Sequence, residues 1–256
     1  KSGDILERLL SRVVAVKRLT EVTCLYGFTR LEPAPVASDG SLEEVLLAVE
    51  GASLGEADWL PAIEQNGEGI FLQFDPAVVS AIVQSKFNSD RVNELRLAYQ
   101  DWAGKFKNSP TFPGGSYTFL HSLSHALMSE IALQCGYPAT SIKERVYALP
   151  NDSTQGVIGR LGILLYTSAS GAQGSLGGLV AMAPKIVALL AAAIEKMQVC
   201  SNDPICSEST PQAHFDGSLV NGAACNACLL VPETSCEMRN MLLDRLMLSD
   251  LDAALA

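Results

Sequence analysis

The alternation of apolar and polar positions gives a few clear elements and several ambiguous ones. Between residues 5 and 20, charged groups separate Ile5, Leu9, Val13 and Val16, as in an amphipathic helix, although the β-branched Val13, Val14 and Val16 also allow a strand. Residues 21–31 read as extended with a bend at Gly27, and Pro33, Pro35 and Ser38-Asp39-Gly40 mark a loop. The segment 59–75 predicts a hairpin, because WLPAIEQ and GIFLQFD flank Asn66-Gly67, a pair that tolerates the positive φ of a tight reversal. Asp75 then caps a helix that opens with Pro76, and helical pattern continues with breaks through 79–83 and 91–106.

The loop SPTFPGG, residues 109–115, is the expected boundary between an N-terminal strand and helix subdomain (1–110) and a second domain (111–256). Beyond it, Leu120, Leu123, Leu127, Ile131 and Leu133 recur near helical spacing and Gly136 is a natural C-cap. Two strands follow, 143–149 and 161–167; the second is almost wholly apolar, which predicts a central strand covered on both faces. The glycine-rich stretch SASGAQGSLGG leads into an apolar helix over 179–199, a polar insert occupies 201–221, and a closing helix is predicted from about Ser235 to Leu251. The class is α/β (α+β), a mixed sheet flanked by helices with a structural zinc site of four cysteines near the C-terminal end.

Composition changes this picture little, and charge distribution more. At 256 residues and 48% hydrophobic content the chain can bury a real core, and no 18-residue apolar run is present. The stretch 179–194 comes nearest but is interrupted by Pro184 and Lys185, so no membrane association is expected. No amino-terminal targeting segment is visible, and the cell interior is the expected compartment. The net charge of −10 comes from residues 32–75, which hold ten carboxylates and no Lys or Arg. That segment would repel phosphate, or serve only as a solvated face.

The cysteines carry the strongest chemical signal. Five of seven fall between Cys200 and Cys236 in the pattern C-x5-C-x18-C-x2-C-x7-C. Two thiolates separated by two residues can face one ion across a tight turn, and Gly222, Ala223, Ala224 and Ala227 keep bulky groups out of it. The expected ligands are Cys225, Cys228, Cys236 and Cys206, with Cys200 the alternative to Cys206. An all-thiolate site leaves no position for water, so its zinc would be structural. Disulfides are the competing reading, disfavoured by the odd count and the expected compartment.

Two further constellations invite a catalytic reading. The glycine-rich loop could present backbone amides to a phosphate or to nucleic-acid backbone at Gly171, Gly174, Ser175 and Gly177, but it lacks the Gly-Lys-Ser/Thr of a Walker loop and the dinucleotide spacing. Close helix-to-strand packing is the plainer explanation for its glycines. His121 and His125 share a helix face, yet Ser122 stands where a zincin needs its glutamate, so both are expected to be structural, with Ser124 and Glu130 as local partners. His214, in the polar insert, is a possible replacement ligand.

The combination HSLSHALMSEIALQCGYPATSIKERVYAL, GILLYTSASGAQGSLGGLV, CSNDPICSE, GAACNACLLVPETSCE and RNMLLDRLM resembles the MrfA-type zinc-binding domain found at the C-terminal end of superfamily 2 DNA helicases. It is more similar still to that domain in the DrmB-type, non-helicase subunits of the DISARM anti-phage defence system, which GFTRLEP and GEGIFLQFD also resemble. The resemblance implies a four-cysteine zinc, a superfamily 2 helicase partner, and DNA reached through the complex. No phosphate-binding Lys with a paired Asp-Glu is present, so ATP-driven work would belong to the partner. The leading expectation is therefore a non-catalytic zinc-binding subunit. Two alternatives stand beside it: a hydrolase or nucleotide-binding enzyme using Ser170 or Ser175 with His121 or His125, and a protein-interaction scaffold without DNA contact.

Overall fold

The first ambiguous stretch divides at Leu9: Ser2–Leu9 form helix α1, and the β-branched run that follows forms a long strand, β1, Leu10–Cys24. This computed structural model describes residues 2–25, 27–28, 50–51, 59–104, 111–149, 159–169, 177–211, 220–249 and 251. Two short strands, β2 (Gly27–Phe28) and β3 (Glu50–Gly51), pair with each other. Most of the acidic segment lies outside the described residues. Of its described members, Glu68 and Asp75 serve local roles: Asp75 caps helix α2 (Pro76–Gln84) by accepting from the amides of Ala77 and Val78.

The predicted hairpin at Asn66-Gly67 is instead one uninterrupted strand, β4, Ala62–Phe74. Gly67 is required there for closeness rather than for turning, since a Cβ on it would lie 1.7 Å from the Thr167 carbonyl oxygen of a neighbouring strand. Gly67→Val should therefore pry that pair apart and cost about 1–3 kcal/mol, the usual range for an overpacked site. Urea denaturation checks it; an unchanged midpoint would contradict the strand assignment.

Helix α3 (Lys86–Ala103) leads to α4 (Gly115–Cys135), then strands β5 (Lys143–Leu149) and β6 (Arg160–Ala169). The sheet order is β1-β4-β6-β5, antiparallel at every described pairing, where a mixed sheet was expected. Strand β6 is interior as predicted, but only one face is fully covered: Leu161, Ile163 and Leu165 are buried, whereas Leu164 and Tyr166 are half-buried. Strand β4, from the first expected subdomain, pairs with β6 of the second, and one hydrophobic core runs from Leu6 to Leu251. The boundary drawn at 109–115 is thus crossed by the sheet itself.

Helix α4 is the centre of that core. Residues 117–128 are all buried, so this stretch of the helix has no solvent face on which to place its polar side chains. Gly115 admits Val83 and Val92 against its backbone, and Gly136 ends the helix in the left-handed conformation. Every hydroxyl and imidazole within 117–128 must therefore find its partner inside the protein.

The apolar helix expected over 179–199 is broken. Val180–Lys185 form a 3-10 turn and the α-helix proper, α5, spans Ile186–Lys196, because Pro184 supplies no amide to a continuous ladder. Among the described residues, short 3-10 turns at Glu233–Ser235 and Arg245–Leu248, with positive φ at Arg239, Asn240 and Leu242, stand where the closing helix was predicted. Its backbone bonds elsewhere: Leu242 N–H donates to Val220, Gly222 to Leu243, and Arg245 to Ala223. Residues 220–223 and 242–245 are laced together, a pairing that a helix would preclude.

Candidate metal centre

Four sulfurs converge where α5 ends. Cys200 and Cys225 lie 3.5 Å apart, Cys206 and Cys228 3.7 Å, and Cys225 and Cys228 3.7 Å, with all four donors within 4.8 Å of one another. None is in a disulfide. A tetrahedron with metal–sulfur bonds of about 2.3 Å has edges of about 3.8 Å, so the separations suit zinc and are far beyond the roughly 2.05 Å of a disulfide.

Local backbone explains how the sulfurs meet. After α5 the chain turns tightly: Asp203 N–H donates to Cys200 O and Cys206 N–H to Asn202 O, while the Asp203 carboxylate accepts from the amides of Cys200 and Ser207. The second knuckle folds about the Cys225 carbonyl, which accepts from Cys228, Leu229 and Leu230. Amides also point at sulfur, Cys225 N–H at Cys228 and Asn202 N–H at Cys200, as suits thiolates. Arg245 is fully buried and donates to Met197 O and to the Asp203 carboxylate. Its guanidinium lies beside Cys206, placing positive charge next to a cluster whose four thiolates would outweigh one divalent ion. Burial pushes the Cys206 thiol up to about 11, and burial and its sulfur neighbours push Cys228 up as well. A bound cation is what allows such groups to ionise together.

The converging set differs from the expected ligands at one position: Cys200 joins Cys206, Cys225 and Cys228, and Cys236 lies in a second cluster. The turn at 201–206 swings Cys200 back onto the other three sulfurs, which spacing alone did not reveal. Gly222 acts differently from the expected clearing of the knuckle: a Cβ there would meet the Asp244 carboxylate at 2.4 Å. Asp244, fully buried, accepts from Ala223 N–H, Leu246 N–H and the Arg91 guanidinium, and its own amide donates to Ser122 Oγ of α4. Asn221 and Asn240 complete the lacing: Asn221 donates to Asn240 O and accepts from Leu243, while Asn240 spans both backbone groups of Val231.

The second cluster comprises His121, His125, Glu144 and Cys236, all buried and all within 4.8 Å. His121 Nε2 lies 3.2 Å from Cys236 Sγ and 2.8 Å from Glu144 Oε1; His125 Nε2 lies 3.1 Å from the same oxygen. The expected partner Glu130 instead pairs with Lys196, and Ser124 does contact the cluster, through Glu144. Burial opposes the charged form of each group, but Glu144 and then Cys236 push His121 up to about 9, while the two imidazoles hold Glu144 far below the usual carboxylate range. Sequence reasoning missed Glu144; its signal was a carboxylate at the same strand parity as the inward Val146.

Neither catalytic reading gains support from this geometry. A nucleophile, base and orienter would place the carboxylate on the imidazole nitrogen opposite the thiol, whereas Glu144 and Cys236 both face Nε2 and the cluster has no opening to solvent. Ser170 and Ser175, proposed to act with these histidines, lie outside the described residues, as do Gly171, Gly174 and His214. Gly177 is described, with φ 74°. The amides just beyond it are occupied: Leu179 and Val180 donate to the buried Glu68 carboxylate, and Gly178 to the Tyr137 hydroxyl. The buried Glu68 side chain takes the amides that were candidates for a phosphate.

Comparison with known proteins agrees with the sulfur geometry. The MrfA Zn-binding domain family matches residues 123–229, which include His125, Glu144 and the four converging cysteines. The chain is also 36% identical over 252 residues, 96% of its length, to the DISARM protein DrmB of Bacillus paralicheniformis. It spans 42% of that relative's length. Among the described residues no helix is long and apolar enough to cross a membrane. Residues 123–229 thus match the MrfA Zn-binding domain family, and the chain is similar, along nearly its whole length, to part of DISARM protein DrmB.

Proposed function

We propose that the chain is a zinc-binding, non-catalytic region of a DISARM-like anti-phage defence subunit that works in the cytoplasm beside a superfamily 2 helicase. The carrying observation is the match to DrmB over 96% of the chain, joined to a four-sulfur centre of zinc dimensions at Cys200, Cys206, Cys225 and Cys228. The zinc is structural: four thiolates fill its coordination, and its purpose is to hold 197–211 and 220–248 as one rigid block. That block, docked on α4 through Asp244 and Ser122, is the surface offered to the helicase, and DNA is met through the assembled complex.

The full-length protein, affinity-tagged in its native host, should co-purify with a superfamily 2 helicase and give salt-dependent retention of duplex DNA. Cys228→Ser should reduce helicase recovery at least tenfold. Undiminished recovery by that variant, or the absence of a helicase, would overturn the reading. Helicase recovery without DNA retention at any salt concentration would favour the scaffold alternative.

A further inference from the structure

We propose that His121, His125, Glu144 and Cys236 form a second zinc site, separate from the four-cysteine centre and closed to solvent. The donors come from three places, two from α4, one from β5 and one from the segment after the Glu233–Ser235 turn, so chance proximity along one element does not explain them.

Hydrogen positions argue for an ion between them. The Leu229 carbonyl can only accept, and it lies 2.8 Å from His125 Nδ1, so that nitrogen carries the proton. His125 Nε2 then directs a lone pair at a carboxylate oxygen 3.1 Å away, an opposition relieved only by a second proton or a metal. His121 Nε2 faces the same oxygen and Cys236 Sγ, while its Nδ1 has no hydrogen-bond partner, so no other group fixes its tautomer and Nε2 can serve as donor or as metal ligand. Without an ion, the second proton on His125 would bury an imidazolium beside the His121 ring, 4.6 Å between centroids. A divalent cation instead balances one carboxylate and one thiolate with both imidazoles neutral, so the buried set has no net charge.

The surroundings match those of metal ligands. Leu229 O fixes the His125 tautomer, Ser124 Oγ orients the other Glu144 oxygen, and Asn240 N–H donates to Cys236 Sγ at 3.1 Å. Zinc in a tetrahedron of two nitrogens, one oxygen and one sulfur separates its donors by about 3.4–3.6 Å. The present 2.8–3.2 Å separations need an outward adjustment of a few tenths of an ångström. With four protein donors and no opening, the ion would pin β5 and the C-terminal block to α4 without chemistry of its own.

The test uses the full-length protein purified without chelators. Elemental analysis should give two zinc ions per chain, and zinc-edge X-ray absorption should give a mixed shell in which five sulfurs are shared by two ions. His125→Gln and Cys236→Ser should each lose one zinc and move the remaining signal to an all-sulfur shell. One zinc in an all-sulfur shell in the unmodified protein would overturn this second site and leave the four-cysteine centre standing. Two zincs retained by both variants would overturn it as well. One zinc in a sulfur-poor shell would support the second site and count against the first, so the two failures are distinguishable.

Discussion

Cys225→Ser is expected to cost the protein its four-sulfur zinc and, with it, the order of the block at 197–248. Apparent binding free energies of structural zinc run to about 10–16 kcal/mol, as large as the roughly 5–15 kcal/mol that stabilises a whole domain. Little else could compensate locally. Among its described residues the block has no α-helix after α5, and it is held by short turns, side-chain amides and the exchange between 220–223 and 242–245. Hydrogen exchange should therefore collapse at the amides of Gly222, Leu242 and Arg245 while Leu72 and Ile163, in the sheet, keep their protection. Unaltered exchange at those three amides would mean that the ion contributes nothing to local order.

Arg91→Met is the second large effect, at about 3–5 kcal/mol, because it strands a buried carboxylate without its counter-charge. Asp244 is fully buried, and burial already raises its pKa above the usual carboxylate range despite the opposing pull of Arg91. A carboxyl whose folded pKa lies above its unfolded value binds its proton more tightly when folded, so its contribution to stability falls as pH rises through the folded pKa. Removing Arg91 lifts that pKa further. The deficit of the variant relative to the unmodified protein should thus be greatest near neutral pH and shrink on mild acidification. Pairing Arg91→Met with Asp244→Asn should recover part of the loss. Urea denaturation at the two pH values checks both statements; a pH-independent deficit would place the cost in lost packing instead.

The sequence revealed most where local chemistry decides structure. Asp75 with Pro76 and the left-handed Gly136 mark helix ends through bonds made within a few residues, and both are visible as residue types. Asn66-Gly67 failed for the opposite reason: a glycine that turns a chain and a glycine that admits a neighbouring strand are the same letter, and only the approach of Thr167 separates them. The closing segment carries helical spacing in MLLDRLM, yet its amides are claimed by Val220 and Ala223, about twenty residues away. Tertiary bonding overrode propensity.

The metal centre divides in the same way. Cys225 and Cys228 were legible because their spacing is itself the turn. Choosing between Cys200 and Cys236 required knowing that Asp203 folds the chain back at Cys200 and that His121 already faces Cys236. Arg245, which falls within the predicted closing helix, is instead a fully buried charge beside the sulfurs. Glu144 was hidden by its two basic neighbours, Lys143 and Arg145, which make an inward carboxylate look like part of a solvated strand.

Cysteine-by-cysteine alkylation of the native protein, before and after zinc chelation, tests the four-sulfur centre most directly. Cys225 and Cys228 are only partly buried and would react if their thiols were free, whereas Cys24 is exposed and supplies the internal standard. With zinc held, Cys24 alone of these three should be modified; after chelation, Cys225 and Cys228 should become reactive together with Cys200 and Cys206. Modification of Cys225 at the same rate before and after chelation would contradict a metal at that site.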